Sequence, residues 1–159
     1  VGDYLLDERT VIVKPGMEHV QYIAEHMRQA DRDEVYALAG WSPLKAALFS
    51  VTHSDMALCA VHDGLPAVIW GAGQRIVMYD EGSPWLLGTP VIEHNAKRFL
   101  RQSILWRDEL LNRYGSLVNV VDQRNVVSIR WLRWLGFTLD PPIKLGFEGR
   151  PFHRFHLEA

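Results

Sequence analysis

A single α/β domain built on a mixed sheet is the fold class that this sequence predicts, and three observations predict it. Asp63-Gly64 separates two apolar runs, the strongest short-range hairpin signal. From Trp85 onward the pattern reads strand, long helix, strand, helix, strand, which requires at least one parallel pair covered by helices. Both helices of that half stop at a glycine, Gly115 and Gly136, as helix C-termini commonly do.

The elements follow in order. Thr10 to Lys14 is a short β-rich run closed by Pro15-Gly16. Met17, Val20, Ile23, Ala24 and Met27 recur at helical spacing and predict a first helix to about Gln29. Asp31 with Glu34 reads as a capping box for a short second helix ending at Gly40. Ser42-Pro43 is an N-cap and first-turn pair for a third, through Leu48. Met56–Val61 and Pro66–Trp70 are the hairpin strands, and Gly71, Gly73 and Gly82 mark a loose stretch before the strand Trp85–Thr89. One long helix is expected from Ile92 to Tyr114, with Phe99, Leu100, Ser103, Trp106, Leu110 and Tyr114 along one stripe. Leu117–Val121 is a buried strand, Asn125–Leu135 a helix, and Phe152–Leu157 a last strand, expected at the sheet edge.

Composition bounds the rest. With 159 residues, 48% hydrophobic and 23% charged, the chain suits one domain with its own core. Residues 1–9 are expected to be a flexible segment and 10–159 the domain. The net charge of −2 offers no general attraction to nucleic acid or anionic lipid. Arg124, Arg130 and Arg133 with Trp131 and Trp134 form an aromatic-basic helix, which suits a protein-interaction patch better than nucleic acid. Cys59 is the sole cysteine, in an apolar run, and is expected to be a buried inert thiol. No apolar run approaches the ~20 residues that span a bilayer, and the N-terminal segment shows no secretory signal. A reducing cytoplasm is the expected location. His153 and His156 lie three apart on a strand, so they point to opposite sides and do not suggest a metal site.

Asn125-Val126-Val127-Ser128-Ile129-Arg130-Trp131-Leu132-Arg133-Trp134-Leu135-Gly136-Phe137 resembles the fourth-helix motif of the GNAT acetyltransferases. In that pattern Asn caps the helix, a small residue follows three later, and Leu-Gly-Phe closes it. The resemblance implies the GNAT fold, with a mostly antiparallel sheet, a central parallel pair that splays, and helices on both faces. A narrower resemblance, through Trp85–Thr89, Arg98-Phe99-Leu100-Arg101 and Asn119–Phe137, is to a group of short-tailed phage proteins. These are described as internal virion (core) proteins or GNAT-like acetyltransferases. It implies a host-cytoplasmic or virion location, and phage or host proteins as partners. Met27-Arg28-Gln29-Ala30-Asp31 is its match in the N-terminal third.

The family's chemistry is acetyl transfer from acetyl-CoA to a primary amine, without a metal. The resemblance implies a cofactor site made of Gly88 and Thr89 at the splayed strand, Asn95, Ala96, Lys97 and Arg98 at the long helix start, and Asn125. The helix start would seat the diphosphate on unpaired amides. There the family's Gln/Arg falls on Val91 and its Gly on His94, while Ala96 matches. Pro90 suits the splay, because it cannot continue a ladder. Asp122 and His94 are the candidate bases. The family's general-acid tyrosine falls on Leu132, which leaves Ser128 among the candidates for that role. The alternative is a GNAT fold that has lost the chemistry and acts in phage particle assembly or on a host factor.

Overall fold

The computed structural model describes residues 4–5, 8–76 and 79–159. After β1 (Tyr4–Leu5) and β2 (Thr10–Val13) come α1 (Met17–Glu25), α2 (Gln29–Ala39) and α3 (Pro43–Thr52). The strands β3 (Met56–His62), β4 (Leu65–Ile76) and β5 (Tyr79–Gly88) form an antiparallel meander. Next are α4 (Val91–His94), α5 (Ala96–Tyr114), β6 (Ser116–Asp122) and α6 (Val126–Trp134). β7 (Thr138–Leu139), β8 (Ile143–Leu145) and β9 (Arg150–Glu158) complete the chain. The sheet order is β1-β2-β3-β4-β5-β6-β9-β7, with β8 also on β9. Among the described residues, the β5–β6 pair is parallel and the other pairs are antiparallel.

The sheet's alternation sorts the core onto its two faces. Cys59, Ile69 and Leu87 face α1 and α3, where they meet Val20, Ile23, Met27 and Ala47. Leu58, Ala60 and Val68 face the other way, onto Ile92, Phe99, Trp106 and Trp131. Each fully buried aliphatic, such as Ile23 or Ile69, stabilises the fold by roughly 1.5–3 kcal/mol relative to exposure. Cys59 is completely buried, and burial pushes its thiol up to about 12, which removes it as a nucleophile at neutral pH.

Several elements depart from the sequence expectations for identifiable reasons. Asp63 (φ 50°) and Gly64 (φ 79°) make the expected turn, but Gly71 and Gly73 lie in strand β4 and Gly82 in strand β5. A Cβ on Gly71 would stand 2.2 Å from the Met56 carbonyl, so that glycine permits close strand approach and does not mark a loop. The long helix is interrupted at Asn95, giving α4 and α5. The first helix ends at Glu25, and α2 begins at Gln29 with Arg28 as N-cap, so Asp31 and Glu34 lie inside the helix and form no capping box. The last strand is internal: β9 bonds β6 on one side and β7 and β8 on the other. Within the segment expected to be flexible, Tyr4–Leu5 pairs with β2, and Arg9 is ion-paired with Asp63.

Candidate functional site

The site begins where the parallel pair stops pairing. β5 and β6 are joined at Glu81–Ser116 and Gly82–Leu117 and nowhere beyond. The register against β4 gives the reason. Thr89 N–H donates to the Ala67 carbonyl, so Thr89, Leu87 and Trp85 turn their backbone groups to β4, while Pro84, Leu86 and Gly88 turn theirs toward β6. Pro84 has no N–H to give, so the parallel ladder ends there. The proline responsible is Pro84, not Pro90.

Asn119 rivets the narrow end of the cleft. Its Nδ2 donates to the Pro84 carbonyl at 2.7 Å and its Oδ1 accepts from Val120 N–H at 2.8 Å. Helix α2 staples the wide end. The Gly88 carbonyl accepts from Arg28 N–H at 2.8 Å, and Gly88 N–H donates to Asp31 Oδ2 at 2.9 Å. One turn further on, Glu34 Oε1 accepts from Asp122 N–H at 2.6 Å. Between rivet and staple, the amide and carbonyl of Leu86 face the opening. The space there is a cavity of about 430 Å³ with largely apolar walls, including Trp85, Leu86, Phe99, Trp106, Trp131 and Leu132.

Arg28 organises the polar part. Its guanidinium is almost fully buried and forks onto Asp31 (Nε–Oδ2 3.0 Å, Nη2–Oδ1 2.7 Å). It also donates to Glu93 Oε1 and to Ser128 Oγ, each at 3.1 Å, and lies 5.2 Å from the Trp131 ring centre. Burial raises the Asp31 carboxyl above its ordinary value, against the opposing pull of Arg28 and the Gly88 amide. Glu34 is also raised, to about 8. Burial is the main cause and the neighbouring Asp31 and Asp122 add to it, while the Asp122 amide and the Asn125 side chain oppose it.

The sequence candidates fall into three groups. Gly88, Asp122, Asn125 and Ser128 are gathered around α2. Both backbone groups of Gly88 are occupied by that helix, so the strand position that faces the opening with its main chain is Leu86. Asp122 is buried, yet its carboxylate is gripped by Arg124 through Nε, Nη2 and the backbone N–H. Burial alone would raise it, but those bonds outweigh burial and hold it below the usual carboxylate range. Asn125 caps α6 by accepting from Ser128 N–H, as its position in the motif implied.

Thr89 forms the second group: its N–H and Oγ1 both donate to the Ala67 carbonyl, which seals it into the β4 side. The α4–α5 corner is the third, and there His94 is exposed. Asn95 Nδ2 donates back to the Val91 carbonyl, and the Asn95 carbonyl accepts from the Arg98 and Phe99 amides, leaving Ala96 and Lys97 as the first-turn donors of α5. The charge of Arg98 bears on Asp63 in the β3–β4 turn.

Sequence reasoning missed Arg28, Glu34, Leu86 and Asn119 as site residues. Arg28, Asp31 and Glu34 recur every three residues, which places them along one side of a helix, and that spacing was the available signal. Leu86 and Asn119 carry no signal before the register is known.

The fit of an acyl-CoA can be tested on one orphaned atom. Trp70 Nε1 is buried on the cavity wall and, among the described residues, has no hydrogen-bond partner. A buried donor without an acceptor costs about 1–3 kcal/mol. The amide carbonyls of a pantetheine arm are acceptors of the kind it lacks, so the cleft fits that arm. No group of three or more His, Cys, Asp or Glu suited to a metal occurs among the described residues. Nor, among them, is any helix long and apolar enough to cross a membrane.

No protein-family model matches the chain, and no curated protein matches its sequence. Solved structures do. A GNAT-family acetyltransferase from Bacillus anthracis superposes with a TM-score of 0.70 at 9% identity, over 95% of each chain. yncA from Salmonella typhimurium, solved with its cofactor acetyl-CoA, gives 0.68 at 15% identity, over 95% of this chain and 94% of that one. The ribosomal-protein-S18-alanine N-acetyltransferase from Escherichia coli gives 0.63 at 18% identity, over 94% and 93%. With its splayed parallel pair and its helices on both faces, this chain has the fold of the GNAT acetyltransferases.

Proposed function

We propose that the protein is an acetyl-CoA-dependent N-acetyltransferase acting on a primary amine. The observation that carries the proposal is the open cleft between β5 and β6, with the Leu86 main chain facing it and a carboxyl raised to about 8, Glu34, at its head. Acetyl-CoA supplies the acetyl group as an activated thioester. Leu86 N–H and Trp70 Nε1 are the donors available to its carbonyls, and the Ala96 and Lys97 amides with the Lys97 side chain are those available to its diphosphate.

Glu34 is the base. An alkylammonium near ~10.4 must lose a proton before it can attack. A carboxyl at about 8 lies roughly 2.4 below that value, whereas one at 4.5 lies roughly 6 below, so the raised position makes proton removal far less uphill. This assigns to Glu34 the role considered for Asp122, whose carboxylate Arg124 holds, and for His94, which is exposed at the corner. Ser128 Oγ accepts from Arg28, and its own O–H is the proton on hand for the departing sulfur.

Calorimetric titration with acetyl-CoA tests the reading, and micromolar binding that Leu86→Trp weakens is the expected result. A second reading keeps the fold for binding partners alone. It is favoured by Glu93, whose carboxylate stands beside the α5 start where a diphosphate would need positive charge. Absence of binding at millimolar acetyl-CoA would establish that reading. Its setting in phage assembly or on a host factor rests on the sequence resemblance alone.

A further inference from the structure

The cavity does not end at the cleft. Its walls run from Phe99 and Trp106 on one face of the sheet to Val35, Leu38, Trp41 and Phe49 on the other, beside α2 and α3. The two sides meet at the head of the cleft, where Glu34 lines the wall. The second side is aromatic. Trp41 and Phe49 meet edge to face with centroids 4.8 Å apart, and Trp85 is fixed by a 2.7 Å bond from Nε1 to Ser54 Oγ. Leu38 and Phe49 are exposed at its mouth, 38% and 44%.

Charge is distributed unevenly along that path. Asp31 and Glu34 are the acids in the cavity wall, and Asp31 is committed to Arg28, so Glu34 alone remains to meet a cation. The rim is net cationic. Lys45 Nζ sits 4.8 Å from the Trp41 ring centre, and the adjoining groove carries Arg32, Arg124 and Arg150 against Asp33 and Glu148. A ligand with one ammonium and an apolar body meets its complement throughout. A second cation one chain-length behind the first would meet a rim where Glu148 is paired with Arg150 and Asp122 with Arg124, so that Asp33 stands against Arg32 and Lys45 and the net charge is positive.

Building on the transferase reading, we infer that the acceptor is a primary monoamine carried on an aromatic or similarly bulky apolar body, and that Trp41, Phe49 and Leu38 select it. Polyamines and free lysine, which carry a second ammonium, are disfavoured by the same surface. The rings bind the acceptor's body and leave acetyl-CoA binding untouched, because they lie on the opposite face of the sheet from Phe99 and Trp106.

The test uses the full chain, with acetyl-CoA affinity from calorimetry and turnover from release of free CoA. Phenethylamine and tryptamine should be acetylated with kcat/KM at least about tenfold above spermidine or free lysine. Phe49→Ala should raise KM for phenethylamine about three- to tenfold, the worth of one aromatic pair, at unchanged acetyl-CoA affinity. Leu38→Glu, a surface change that does not depend on repacking, should shift preference toward spermidine. If acetyl-CoA binds but spermidine or lysine is the better acceptor of the native protein, or if neither variant alters acceptor preference, the inference is overturned while the transferase reading stands. If acetyl-CoA does not bind, both fall together.

Discussion

The two ends of the β5–β6 cleft are held apart by different chemistry. At the narrow end one neutral amide, Asn119, satisfies a carbonyl and an N–H that the interrupted ladder leaves over. At the wide end α2 reaches across with Arg28, Asp31 and Glu34, so ionisable carboxyl groups take the amide hydrogens of Gly88 and Asp122. A neutral rivet sets a spacing and nothing more. A buried charged staple sets a spacing and also moves proton affinities, because desolvation acts on every carboxyl it includes. Shape and reactivity are therefore assigned to opposite ends of one opening.

Substitutions can break this contrast, and the largest effect belongs to the staple. Glu34→Gln should lower kcat by about 10²–10⁴-fold at unchanged acetyl-CoA affinity, the range lost with a general base. In the native protein kcat should rise with pH to a plateau above about 8, and the variant should lose that limb. Stability provides a second readout. Glu34 titrates near 4.5 when unfolded and about 8 when folded, so the folded state holds the extra proton between those values. Native stability therefore falls as pH rises from about 4.5 to 8. Glu34→Gln should not share that decline, and thermal melts at pH 5 and pH 9 would show the difference.

Arg28→Ala comes next. It leaves Asp31 buried and unpaired, which costs about 3–5 kcal/mol, or about 6–20 °C in Tm for a chain of this size. Asn119→Ala should cost less, about 1–3 kcal/mol by urea denaturation, and should leave the pH dependence of stability unchanged. A pH effect from Asn119→Ala would refute the division between the two ends. Trp70→Phe removes the orphaned N–H. It should leave the unliganded protein as stable as before or slightly more so, and weaken acetyl-CoA about threefold to tenfold in calorimetry. Smallest is Glu93→Gln, which relieves repulsion at a partly exposed position and should tighten acetyl-CoA by at most about fivefold.

The fold was largely legible and the site was not, for a common reason. The Asp63-Gly64 turn, the Asn125 cap and the stops at Gly115 and Gly136 are local devices, and local devices are written in adjacent residues. The interruption at Asn95 escaped because the apolar stripe runs straight through it. Leu86 matters through the direction of its backbone groups, which depends on pairing with Trp70 and on no property of leucine. Glu34 carries an unusual proton affinity chiefly because the fold buries it, with the charges of Asp31 and of Asp122, 88 positions away, adding to the effect against the pull of the Asp122 amide. Asp31 and Glu34 were read as a cap because their spacing fits one. What separates that use from the observed one is an Arg28 N–H bound to Gly88.

The staple has a kinetic consequence. Its bonds join positions 57, 65, 88 and 100 apart along the chain, so closing them demands long loops that form slowly and late. Refolding molecules should acquire the β3–β4 hairpin well before the amides of Gly88 and Asp122 become protected from hydrogen exchange. Those two amides would then time the birth of the cleft.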